Sequence, residues 1–125
     1  MRAVLIIDPD LGFVFWLGRL LAGAGCQALP AKGFSEASAL LDELHMRIDL
    51  LVVSSLLTGS AEFAETLRRS HPNLKVLLVL DEKERSPGQF QNADAILRKP
   101  VQPDRIADAL WLRIVEHVLI RHFVA

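Results

Sequence analysis

Residues 48–60 read IDLLVVSSLLTGS. The run Leu50–Val53 is wholly apolar and gives way at once to Ser54, Ser55, Thr58, Gly59 and Ser60. A short apolar run containing β-branched residues and ending in a polar loop is the pattern of a strand buried on both faces. In an open α/β sheet, chemistry lies just beyond the carboxyl ends of the strands. What this chain does therefore turns on Ser54 and the loop after it.

Working outward, the flanking segments repeat the pattern. Upstream, Ala3–Ile7 (AVLII) is a second doubly buried strand, ended by Asp8-Pro9-Asp10, where Pro9 has no N–H for a ladder. Asp10 is placed to cap a helix over 11–24 with a core stripe of Phe13, Trp16, Leu17, Leu20 and Leu21, leaving Val14 and Phe15 beside it. Gly23 and Gly25 end that helix, and Cys26–Leu29 forms a short strand cut off by Pro30. A helix over 34–44 takes Ser35 as N-cap and turns Ala37, Leu40, Leu41 and Leu44 inward. Downstream, a helix over 61–70 buries Phe63, Ala64 and Leu67 and breaks at His71-Pro72-Asn73. Lys75–Leu80 (KVLLVL) is a fourth strand, followed by the solvated charge run 81–85. Pro87 and Gly88 leave room for only a short helix over 86–92. Ala95–Leu97 is a brief fifth strand closed by Arg98, Lys99 and Pro100, and Pro103 opens a last helix to about residue 122. Five β-α units without a linker predict one domain over 1–125. Its class is α/β: a five-stranded parallel doubly wound sheet with right-handed crossovers, flavodoxin-like order 2-1-3-4-5 and a shortened fourth helix.

Composition narrows the function classes. The chain has 125 residues, 51% hydrophobic and 23% charged, with a formal net charge of −1. That balance supports a packed core and supplies no overall basic field for nucleic acid or anionic membrane. The single cysteine, Cys26, rules out an internal disulfide, suits a reducing compartment and reads as a buried, inert thiol. No run approaches the length of a membrane span, and no secretory leader is visible, so a cytoplasmic location is expected. The histidines at 45, 71, 117 and 122 have no ligand spacing, and there is no GxGxxG, P-loop or GxSxG. No cofactor is expected.

The order and spacing of VLIID at the end of strand one, GAGCQALPAKGFSEASALL, DLLVV before the central loop and NADAILRKP near the end resemble the receiver domain of bacterial two-component response regulators. The likeness covers about residues 2–118. The resemblance implies a pair of acids after strand one that binds Mg²⁺ and a phosphoacceptor aspartate at the end of strand three. It also implies a hydroxyl residue ending strand four and a lysine ending strand five. A carboxylate attacks phosphorus, a hard cation neutralises developing charge, and hydroxyl and ammonium hold the phosphoryl oxygens.

This chain departs from that pattern at most of those positions. Asp8 matches the first acid, but Pro9 stands where the second is expected. Ser54 occupies the acceptor position, Leu80 the hydroxyl position and Ile96 that of the aromatic switch residue; Thr58-Gly59 replaces the usual Pro-Gly. Lys99 and Pro100 remain, with a cis Lys99-Pro100 bond implied by the resemblance. A serine hydroxyl is neutral at pH 7 and needs an adjacent base to become a nucleophile, for which Asp8 and Asp10 are the candidates. Ser54 and Ser55 therefore read as hydrogen-bonded loop residues. Asp8 is a weak metal ligand on its own, Asp10 is equally explained as a cap, and Lys99 reads as an ion-pair partner of Asp8.

The expected function is a phosphorylation-independent pseudo-receiver that works by protein–protein contact, as a homodimer or with another signalling protein, without DNA or membrane binding by this domain. The last helix carries more apolar residues than one core-facing stripe needs. Phe15 on helix one and Trp111, Val115 and Leu119 on the last helix are the expected contact surface. Two alternatives stand beside it: a receiver still switched by modification at Asp10 or Ser54, and a flavodoxin-like domain that binds a small molecule.

Overall fold

Parallel pairing of five short strands organises the chain in a computed structural model that describes residues 2–23, 25–84 and 93–99. The elements in chain order are β1 (Arg2–Ile7), α1 (Leu11–Gly23), β2 (Cys26–Ala31), α2 (Phe34–Leu44), β3 (Leu50–Ser54), α3 (Ser60–Ser70), β4 (Lys75–Leu80) and β5 (Ala95–Arg98). The sheet order is β2-β1-β3-β4-β5, with every neighbouring pair parallel. This is the expected flavodoxin-like order. The expected short helix over 86–92, the Lys99-Pro100 bond and the last helix with Trp111, Val115 and Leu119 lie outside the described residues. Among the described residues, no helix is long and apolar enough to cross a membrane.

The strand sequences explain the layers. Successive side chains point to opposite faces, so β1 sends Leu5 and Ile7 to one side and Val4 and Ile6 to the other. Leu5, Ile7, Leu51, Val53, Val76 and Leu78 pack with Ala37 of α2 and Ala64 and Leu67 of α3. Val4, Ile6, Leu50, Val52, Leu77 and Val79 pack with Phe13, Val14, Leu17 and Leu21 of α1 and with the buried side chain of Cys26. Every residue of β3 is buried, and each large apolar side chain so enclosed contributes about 1.5–3 kcal/mol.

Four local expectations are corrected. β2 runs through Pro30 to Ala31 instead of stopping before it. Among the described residues it is an edge strand paired only with β1, and an edge position tolerates a residue without an N–H. α2 begins after Gly33, in extended backbone with no side-chain cap, so Ser35 lies inside the first turn and is not the N-cap. Val14 is buried, because the inward face of α1 is wide enough to take Phe13 and Val14 together. Leu44 is exposed, since α2 ends there and His45 turns the chain away in the left-handed conformation at φ 49°.

Two aspartates fasten the amino edge of the sheet. Asp49 Oδ2 accepts the Ala3 N–H at 2.9 Å, while its backbone bonds Ala3 and Lys75. Asp94 Oδ2 accepts the Val76 N–H at 2.8 Å and pairs with Arg68 of α3 at 3.1 Å. These bonds set the strands in register, and the register fixes what meets at the opposite, carboxyl edge. Ile7 lies beside Val53, Ser54 beside Val79, and Leu80 beside Arg98. Asp8 and Ser54 thus leave β1 and β3 at one level, with Leu80 one residue and Lys99 two residues further along on the adjacent β4 and β5.

Candidate functional site

Asp8 follows the last residue of β1 and is almost fully enclosed, at 1% exposure. Its Oδ1 accepts the Asp10 N–H at 2.8 Å, an Asx-type turn around Pro9. Asp10 then caps α1 as expected: its Oδ1 accepts the Phe13 N–H at 3.2 Å. That bond is the main cause holding the Asp10 carboxyl below its ordinary value of 3.8; the Lys99 charge adds to it, and partial burial opposes.

Lys99 arrives from the end of β5, its N–H bonded to the Leu80 carbonyl at 2.9 Å. Its ammonium stands 3.0 Å from Asp8 Oδ2, 3.3 Å from Asp8 Oδ1 and 3.4 Å from Asp10 Oδ2. At Oδ2 the approach is that of an ion pair without hydrogen-bond alignment. The same ammonium lies 4.5 Å from the centroid of the Phe13 ring, a cation–π contact. The structure thus brings Asp8, Asp10 and Lys99 together, and Phe13 joins them from a position that reads in the sequence only as core.

Ser54 ends β3 with its side chain buried at 2% exposure. Its Oγ accepts the Leu56 N–H at 3.2 Å, and among the described residues no carboxylate lies within hydrogen-bond reach of it. The hydroxyl oxygen thus helps to close the β3–α3 turn, and among the described residues no base stands within reach to activate it. Leu80 is buried against the α2–α3 face and offers no polar group. Ile96 on β5 is exposed. The donor set fits Mg²⁺ poorly. That ion takes near-octahedral oxygens, whereas here an ammonium already spans Asp8 and Asp10 and the residue between them is proline. Among the described residues, no group of three potential metal ligands is assembled.

Glu84 is a residue at the edge of the site whose sequence context is only a solvated charge run. Its Oε1 accepts from the Ser55 Oγ–H and from the Asp81 N–H at 2.9 Å, and its carbonyl accepts from Arg98 Nη1. Asp81 is local, but Ser55 and Arg98 come from other strand ends, and no local pattern announces those two. Phe15, the expected contact residue on α1, is 63% exposed.

No protein-family model matches the chain, and no curated protein matches it. Solved structures do. A response regulator from Thermotoga maritima superposes with a TM-score of 0.76 at 19% identity, covering 95% of this chain and 98% of that one. The fold is that of response-regulator receiver domains. A response regulator receiver protein from Burkholderia phymatum gives 0.76 at 23% identity, over 95% of each chain. The beryllofluoride-activated NtrC4 receiver domain, solved as a dimer, gives 0.76 at 18% identity, over 98% of this chain and 99% of that one. NtrX from Brucella abortus, in complex with ADP, gives 0.77 at 19% identity; 99% of this chain is covered, but it spans only 28% of NtrX. At these identities the likeness is one of fold, with the site left to be argued from its own residues.

Proposed function

We propose that this is a degenerate member of the receiver family, a pseudo-receiver whose contacts in signal transduction or transcriptional regulation do not depend on phosphorylation. The observation that carries the reading is the end of β3: Ser54, neutral and bonded to the Leu56 amide, stands where the receiver pattern places its acceptor carboxylate. Supporting it, Lys99 pairs with Asp8 and Asp10 without any phosphoryl group, and Leu80 is a buried hydrocarbon where a hydroxyl would be needed. The domain is proposed to act in the cytoplasm, without cofactor, metal or catalysis of its own. It docks on a second copy of itself or on another signalling protein through the surface that includes Phe15, Trp111, Val115 and Leu119. The dimeric NtrC4 receiver is a precedent for self-association on this fold.

Sedimentation velocity tests it. The assembly state is expected to be the same with and without acetyl phosphate and Mg²⁺, and Phe15→Glu, on an exposed position, should shift a self-associating chain to monomer without unfolding it. A change of assembly that requires the phosphodonor would overturn the reading; a monomer under all conditions assigns the contact to a different protein.

A further inference from the structure

Glu84 sits where three strand ends converge. The loop after β3 contributes the Ser55 hydroxyl, which donates to Glu84 Oε1. The loop after β4 contributes the Asp81 N–H, which donates to the same oxygen at 2.9 Å, while the Glu84 N–H returns a bond to the Asp81 carbonyl at 3.0 Å. The end of β5 contributes Arg98, whose guanidinium donates to the Glu84 carbonyl. The Ser55 N–H is itself held by the Val79 carbonyl at 2.9 Å. A carboxylate accepting two donors makes charge-assisted hydrogen bonds, stronger than their neutral counterparts.

We propose that Glu84 is a permanent internal clamp that fixes the loop after β4 against the loop after β3, so that the carboxyl edge of the sheet presents one shape with no modification to set it. This deepens, and rests on, the phosphorylation-independent reading, because a clamp supplied by the chain itself leaves nothing for a phosphoryl group to pull together. It also gives Ser55 a role: its hydroxyl donates to an anion, and a negative charge placed there would face Glu84 and push the loops apart.

Amide hydrogen exchange followed by NMR on the whole chain tests the clamp. Ser55→Ala is the diagnostic variant. Ser55 does not touch the Asp81 N–H, yet its loss should free the Glu84 side chain and speed Asp81 amide exchange about ten-fold or more. Glu84→Ala should do the same at Asp81 and also speed exchange at Ser55, and the double variant should add little to either single one. Glu84→Gln, which keeps an acceptor oxygen, should fall between wild type and Glu84→Ala. The Phe13 amide, bonded to Asp10 on the far side of the mouth, is the control that should not move. Asp81 exchange in Ser55→Ala within about two-fold of wild type, with Phe13 likewise unchanged, would overturn the clamp. Should Glu84→Ala unfold, the Asp81 exchange rate in Ser55→Ala decides by itself. Phosphodonor labelling of the same samples separates the two ideas. Labelled wild type with a coupled Asp81 response removes the phosphorylation-independent reading and keeps the clamp; unlabelled protein without coupling does the reverse.

Discussion

Replacing Lys99 by methionine removes the ammonium that lies over Phe13 and keeps an unbranched apolar side chain of similar reach. What it leaves is Asp8, 1% exposed, with only the Asp10 N–H at 2.8 Å, among the described residues, to hold its charge. Removing one partner of a buried ion pair costs about 3–5 kcal/mol, because the other charge stays buried without compensation. Lys99 keeps 14% of its side chain exposed, and the surviving amide bond is charge-assisted, so the expected cost is about 2–4 kcal/mol. With a urea slope of roughly 1–3 kcal/mol per molar for a domain of this size, the unfolding midpoint should fall by about 1–2 M. The companion variant Asp8→Asn/Lys99→Met removes the stranded charge and should recover more than half of the loss, because the two sites are coupled. A Lys99→Met cost under about 0.5 kcal/mol, the value of an exposed surface pair, would refute the claim that this cluster is a buried, mutually neutralising unit. So would a double variant no more stable than the single.

Other expectations follow from the same geometry. Asp10→Ala should cost about 1 kcal/mol at neutral pH through loss of the α1 cap. Because the Phe13 amide first, and Lys99 next, hold this carboxyl below 3.8, its contribution is present above that value and is lost as pH falls through the lowered one. Wild type and variant stability curves should therefore converge in acid, and parallel curves would contradict the assignment. Asp94→Ala strands the Val76 N–H and removes one ion-pair partner of Arg68, at a cost of about 1–3 kcal/mol by urea titration with faster exchange at Val76; no change at Val76 would argue against the tie.

The strand core was legible because its signal is local. AVLII, LLVV and KVLLVL are apolar runs bounded by turn residues, and their alternation with helical stripes is enough for a parallel sheet and its order. Pro30 misled because a proline reads as a stop; the predicted order already put that strand at an edge, where a missing N–H is tolerated. Ser35 misled because a good capping residue stood two positions after the glycine that fills the role. At the site, Asp8, Asp10, Ser54, Leu80 and Lys99 could be placed from the ends of apolar runs alone. The work of Asp49, Glu84 and Asp94 could not, since each acts on backbone or side chains far away in sequence, and a lone acid in a polar loop carries no mark of that. Phe13 was legible as core, but its service as a platform for the Lys99 ammonium depends on a lysine at the end of β5 crossing to α1.

At the centre of the proposed function is an end of β3 that takes up no phosphoryl group. Intact-mass spectrometry of the chain incubated with acetyl phosphate and Mg²⁺ at neutral pH addresses that most directly. The mass of wild type is predicted to stay unchanged. An adduct of one phosphoryl group, released by hydroxylamine as an acyl phosphate would be, would contradict it.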